Sequence, residues 1–243
     1  MSLSNAILTE TGTEILKAIR APEFLVPTLA FPFAFYGLFG VVLSNGNAAY
    51  LLATYGIFAT MGPAIFGFGI AVANERERGW LDLKRAAPAP GASYVLAKVI
   101  TTLIFASLAV ASVHAVAGFL ADVALPRATW AALMGVHILS TLPFILIGLT
   151  VGFLFKANGA VAIANILFMG LAILGGLWIP ITVFPPVMQS IAQFLPTYHM
   201  AEVALHVSAA PGVRDVFFHL TVTLAMTALL LAITLFAWRH QRS

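Results

Sequence analysis

Long apolar runs separated by short polar breaks organise this chain. Six of them, residues 24–43, 49–73, 94–121, 130–154, 159–179 and 215–238, are each long enough to cross a membrane as a helix. About 20 helical residues cover the ~30 Å hydrocarbon core of a bilayer. The hydrophobicity is continuous rather than alternating, so the runs read as helices and not as barrel strands. Ser44-Asn45-Gly46-Asn47 is a break short enough to make the first two a hairpin. Two stretches depart from this pattern. Over residues 9–22, Ile15, Leu16 and Ile19 share one face while Glu14, Lys17 and Arg20 are polar, which predicts a short amphipathic helix lying in the membrane interface. Residues 180–212 are moderately apolar but broken by Pro180, Pro185, Pro186, Pro196 and Pro211. Proline starts and stops helices, so two short helices are expected there, about 185–194 and 198–208, forming a re-entrant pair before the last span. The predicted fold class is an all-α membrane protein with six transmembrane helices in one domain over 1–243.

Composition agrees with lipid as the solvent. Of 243 residues, 61% are hydrophobic and 9% charged, against about 25% charged in a soluble domain. Cysteine is absent, which excludes disulfides, thiolate metal sites and a cysteine nucleophile. Residues 1–22 carry Glu10, Glu14, Lys17 and Arg20 with no apolar core before them, so no cleaved leader is expected. Cation placement orients the spans. With the N-terminus in the cytoplasm, Lys17, Arg20, Arg76, Arg78, Lys84, Arg85, Lys98, Lys156, Arg239 and Arg242 lie inside, and only Arg127 and Arg214 outside. The expectation is a multi-pass protein of the bacterial cytoplasmic (inner) membrane with both termini cytoplasmic. No basic face interleaved with aromatics points to nucleic acid.

Several chemistries are missing. No Gly-x-x-x-x-Gly-Lys-Ser/Thr phosphate loop occurs, so ATP cannot be bound by that route. No acidic residue lies deep in an expected span, where gradient-driven carriers usually place one. His114 and His137 fall inside the third and fourth spans, and His219 near the outer end of the sixth. They read either as a polar substrate path or as neutral histidines hydrogen-bonded between helices. His199, Glu202 and His206 share a helical face without the His-Glu-x-x-His zinc spacing, so no metal site is expected and the face reads as the polar side of an interfacial helix. Gly148 and Gly152 allow close helix packing. Trp130, Trp178 and Trp238 stand near span ends, as interfacial aromatics do.

The densest charge lies in NERERGWLDLKRAAPAP, residues 74–90, between two apolar runs. Glu75, Arg76, Glu77 and Arg78 alternate in sign, Gly79 interrupts, and Trp80, Leu81 and Leu83 bring apolar contacts among Asp82, Lys84 and Arg85. A short amphipathic helix with apolar anchors and a charged rim suits docking into a groove of a soluble partner.

This stretch resembles the segment after the second helix of ABC-2 type permeases, the membrane subunits of ABC exporters. Their Glu-Arg-Glu-x-Gly run corresponds to Glu75 through Gly79, the following Leu and Pro positions to Leu81, Leu83 and Pro88, and the Lys entering the third helix to Lys98. Trp80 departs from the small hydroxyl residue usual there. Arg20-Ala21-Pro22 before the first span is similar, as is the run from Gly175-Gly176 through Pro180, Pro185-Pro186 and Phe194-Leu195-Pro196-Thr197-Tyr198. The resemblance covers nearly the whole chain. It implies a cytoplasmic coupling helix carrying Glu75, Arg76, Glu77, Arg78, Gly79, Trp80, Leu81, Leu83, Lys84 and Arg85 to an ATPase partner. It also implies external re-entrant helices around Pro180, Pro185, Pro186, Pro196 and Tyr198. Two ABC ATPase subunits would bind ATP and Mg, and a second permease copy would complete a dimer in membrane lipid. This chain would itself be no enzyme. The expected function is export of an amphiphilic small molecule, drug or lipid-like cargo. The alternatives are a lipid-linked polysaccharide as cargo, or a stand-alone gradient-driven transporter with His114 and His137 in its path.

Overall fold

The structure, a computed structural model, describes residues 2–44, 46–81, 83, 91–210 and 215–240. Those residues form helices and no strand. Six helical stretches are long and apolar enough to span a membrane: Leu25–Val42, Ala48–Glu77, Ala92–Phe119, Arg127–Leu154, Ala157–Leu174 and Val216–Arg239. They include all six expected spans, with shifted ends.

Helix α1 (Leu3–Ile19) begins earlier than expected, where Ser2 caps it by accepting from the Asn5 backbone N–H. Its orientation inverts the usual amphipathic arrangement. Glu14 is buried toward the bundle, while Leu8, Leu16 and Ile19 are exposed. Helix α2 (Pro22–Tyr36) passes into a π-helical segment, Gly37–Val42. The Tyr36 hydroxyl donates to the Ala48 carbonyl (2.9 Å) and staples the first hairpin.

The second span is α3 (Ala48–Met61), a nine-residue π-helix Gly62–Ile70, and α4 (Ala71–Glu77). Pro63 lacks an N–H and removes an ordinary helical bond there, and wide π turns absorb such a defect. The span therefore reaches Glu77 rather than residue 73. Residues 74–77 belong to the membrane helix, not to a separate loop. The third span is α5 (Gly91–Phe119). The fourth breaks at Ser140 into α6 (Arg127–Leu139) and α7 (Thr141–Leu154), because Pro143 cannot donate to the carbonyl of Leu139. The fifth, α8 (Ala157–Leu174), stops before 179, where Gly176 takes a left-handed conformation (φ 77°).

Two short helices follow, α9 (Pro186–Ala192) and α10 (Pro196–Val207), each with its proline in the first turn, and then the last span, α11 (Val216–His240). Pro180 and Pro185 precede the intervening single turn Ile181–Val183 and α9. Thr197 ties α10 to the fifth span by donating to the Leu171 carbonyl (2.9 Å), in the space that Gly175 leaves open.

The second span is the hub. Leu52, Tyr55, Ile57, Phe58, Met61, Ile65 and Phe68 are all buried. Its π segment packs on α7 at backbone distance: a Cβ on Gly152 would stand 2.6 Å from the Gly69 carbonyl oxygen. The expectation of close packing at Gly148 and Gly152 thus falls on a contact between two helix backbones. Trp178 and Trp238 are less peripheral than their positions implied. Trp178 packs on Phe35 and Phe58, and Trp238 on Phe153.

Candidate functional site

Four charged side chains meet where α1, the end of the second span and the start of the third converge. Lys98 of α5 pairs with Glu14 of α1 and with Glu75 of α4 (3.0 Å). Lys17 of α1 pairs with the same two carboxylates, at 2.7 Å and 3.1 Å. The Tyr94 hydroxyl donates to the other Glu75 oxygen (2.6 Å). The cluster is electroneutral and binds three elements far apart in sequence. Its members are unequally buried: the Lys98 side chain is 5% exposed, Glu14 6%, Glu75 15% and Lys17 42%. Burial pulls the Lys17 ammonium down, but the Glu14 hydrogen bond and the Glu75 charge outweigh that, so its pKa lies above the usual lysine value.

Glu75, Arg76 and Glu77 are thus engaged within the subunit, which narrows the expected partner-facing surface. The Arg76 guanidinium donates to the Phe153 carbonyl and to that of Phe155 (2.7 Å). It closes orphan carbonyls at the end of α7, as a cation at a helix C-terminus does. Glu77 accepts from the Ala157 N–H (3.0 Å) at the start of α8. Arg76→Lys loses the two-pronged donor. We expect roughly tenfold faster amide hydrogen exchange over residues 151–156, read by mass spectrometry; unchanged exchange would remove this role for Arg76.

Gly79 then takes a left-handed conformation (φ 72°) and turns the chain, a backbone state glycine adopts at no cost. Beyond it Leu81 is buried in the core, while Trp80 and Leu83 are exposed. Leu81 therefore anchors the turn to its own subunit. The Lys17 ammonium lies 5.9 Å from the centre of the Trp80 ring. Among the described residues of the run, Glu77, Arg78, Trp80 and Leu83 are exposed, and Glu77 alone of these is held by a hydrogen bond to α8. Lys84 and Arg85 lie outside the described residues.

A cavity of about 720 Å³ opens behind the four-charge cluster. Its walls come from α1, α2, all three segments of the second span, α5 and α8, and include Phe31, Phe58, Phe66, Phe168, Thr102 and Asn165. Pro27, Pro32 and Pro63 stand on these walls, where they disturb two adjacent helices. This proline clustering was the available sequence signal, and only the fold brings the three together.

His114 and His137, the residues expected to line a substrate path, are not among those lining this cavity. They pack edge to face (centroids 5.1 Å) between the second, third and fourth spans. The His137 ring fills the place of the side chain that Gly56 lacks, and its Nε2 donates to the Ala53 carbonyl (3.0 Å). His114 Nδ1 donates to the Val110 carbonyl (3.0 Å).

At the other end of the bundle the expected polar face of α10 is divided, with His206 exposed and Glu202 half-buried. His199 is buried rather than interfacial, with Nδ1 2.9 Å from Nδ1 of His219 and Nε2 donating to the Gln193 carbonyl (2.8 Å). Tyr198 packs edge-on against both rings. Burial raises the Glu202 carboxyl above its usual range. No group of three metal-ligating side chains occurs among the described residues.

Comparison with known proteins agrees with this architecture. The family model of the ABC-2 type transporter matches residues 5–209. The chain is also 32% identical over 202 residues to a Bacillus subtilis (strain 168) protein titled "Putative transport permease YvfS", covering 80% of this chain and 82% of that one. Helices that bury their charges at one end, an apolar cavity beside them and a family match over most of the length lead to one conclusion: this chain belongs to the ABC-2 type transporter family and is a multi-pass membrane permease of an ABC transporter.

Proposed function

We propose that the permease is the membrane-spanning half of an ATP-driven exporter in a bacterial cytoplasmic membrane, with both termini and the Gly79 turn on the cytoplasmic side. Two ABC ATPase subunits bind ATP and Mg, and two permease copies complete the unit. The observation that carries this reading is the turn itself. It presents Arg78, Trp80 and Leu83 outward. It also follows directly on Glu75, which holds α1 and the third span through Lys17 and Lys98. A push on the turn as the ATPases close is therefore delivered to α1, α4 and α5 together, the elements beside the cavity. The cavity walls suit an amphiphilic, drug-like or lipid-like cargo, apolar over most of their area with polar groups at one end. A lipid-linked glycan would need a polar track that these phenyl-lined walls do not provide. A stand-alone carrier would rely on His114 and His137, which are not among the residues lining this cavity.

Affinity purification of the tagged permease in mild detergent tests this reading. A soluble subunit carrying a phosphate-loop motif is expected at one-to-one stoichiometry. Leu83→Glu places a charge on an exposed apolar anchor, so membrane insertion should persist while ATPase recovery falls about tenfold. Equal recovery with the variant would remove the turn as docking site, and recovery of no ATPase from the wild type would end the exporter reading.

A further inference from the structure

We propose that the cavity binds cationic amphiphiles, whose positive group exchanges with Lys17 at Glu14 and Glu75. The inference deepens the exporter reading and rests on it for its physiological meaning, although the binding is a property of this chain alone. Five charged residues line the cavity: the carboxylates Glu14, Glu23 and Glu75, and the ammoniums Lys17 and Lys98. Negative charge is in excess. Glu23 is exposed at the start of α2 and makes no ion pair among the described residues.

The two lysines are not equivalent. Lys98 is almost wholly buried and holds both clasp carboxylates. Lys17 is 42% exposed, sits on a flexible stem, and can leave while Lys98 still holds Glu14 and Glu75. A cation arriving in the cavity therefore replaces the weakest member without dismantling the cluster. An anion would have to compete with two carboxylates for Lys17, or draw Lys98 from both of them, which strands buried charge.

The walls suit the rest of such a ligand. Phe31, Phe58, Phe66, Phe68, Phe105 and Phe168 line the cavity, offering apolar contact and ring faces that attract cations. Thr101 also lines it, with a buried hydroxyl that has no protein partner. Exchange has a mechanical consequence. Lys17 is the α1 side of half the clasp, so a bound cation loosens α1 from α4 and α5 while Glu14 stays on Lys98.

Tetraphenylphosphonium and tetraphenylborate are nearly equal in size and shape and opposite in charge. Binding of each to the purified permease in nanodiscs, corrected for empty nanodiscs, tests the proposal by equilibrium dialysis. Saturable binding of the cation only is expected. Lys17→Met removes the competing ammonium and should tighten cation binding about fivefold, while Glu23→Gln should weaken it about threefold, the scale of exposed charge pairs. Glu23 lies outside the clasp, so its substitution reads binding without disturbing the fold. Saturable borate binding of equal stoichiometry, or cation affinity unchanged or weakened in Lys17→Met, would overturn the proposal. Charge-selective binding without any ATPase partner in the purification defeats the exporter reading and leaves the site standing. A recovered ATPase with no charge-selective binding defeats the site alone.

Discussion

Lys98→Met is expected to lower the melting temperature of the detergent-solubilised permease by roughly 10 °C, reflecting a loss of about 3–5 kcal/mol. Lys98 is the only buried cation of the cluster, and it neutralises Glu14 and Glu75 together. Removing it leaves two carboxylates in a poorly hydrated place with only the half-exposed Lys17 to share. Most of the expected loss is this stranded charge, not the value of the pairs themselves. The combination Lys98→Met, Glu14→Gln, Glu75→Gln separates the two. It removes every charge that would be stranded, and should recover most of the lost melting temperature while abolishing coupling between α1 and the third span. A single variant that melts within about 2 °C of wild type would show that the cluster is hydrated and contributes little.

Gly148→Ala should be among the more damaging methyl groups that can be added to the bundle. In an unconstrained helix the change stabilises, by up to about 1 kcal/mol. Here the new Cβ would run into the Ala64 carbonyl oxygen and stand 3.3 Å from Ile65 Cα. Both obstacles are backbone, so no rotamer change relieves the clash, and α7 must separate from the π segment of the second span. Overpacking of this kind costs about 1–3 kcal/mol, and it moves the cavity wall at the same time. We expect a melting temperature lower by several degrees, with activity lost beyond what the stability change explains. Gly170→Ala is the control. It lies in α8 with nothing within 4 Å of the new Cβ, and should be neutral or slightly stabilising. Equal behaviour of the two variants would show that the Gly148 contact relaxes freely.

Much of the architecture was legible along the chain because its signal is local. A membrane span needs a long apolar run, and a run is visible without knowing its neighbours. The proline starts of α9 and α10 were legible for the same reason, since proline acts on its own turn. The run Glu75–Gly79 stands out in the sequence, but not how its charges divide: Glu75 and Arg76 are part-buried against their own subunit, while Glu77 and Arg78 are exposed. Whether Glu75 meets Lys98 or a second protein depends on where α5 begins relative to α4, which is a tertiary quantity. The same holds for His137. A histidine inside a span does not name its partner along the chain, and the hole this ring fills is left by Gly56 on another helix.

Sequence by itself therefore determined the solvent of this protein, the number of its spans, the family it belongs to and the place where charge concentrates, all of which rest on local composition and spacing. Only the tertiary structure decided which charges neutralise one another, which face α1 presents to the bundle, and where the cavity lies. Those outcomes depend on pairing residues as distant as Glu14, Glu75 and Lys98. In a low-dielectric interior a charge is tolerated only when its opposite is brought within a few ångströms.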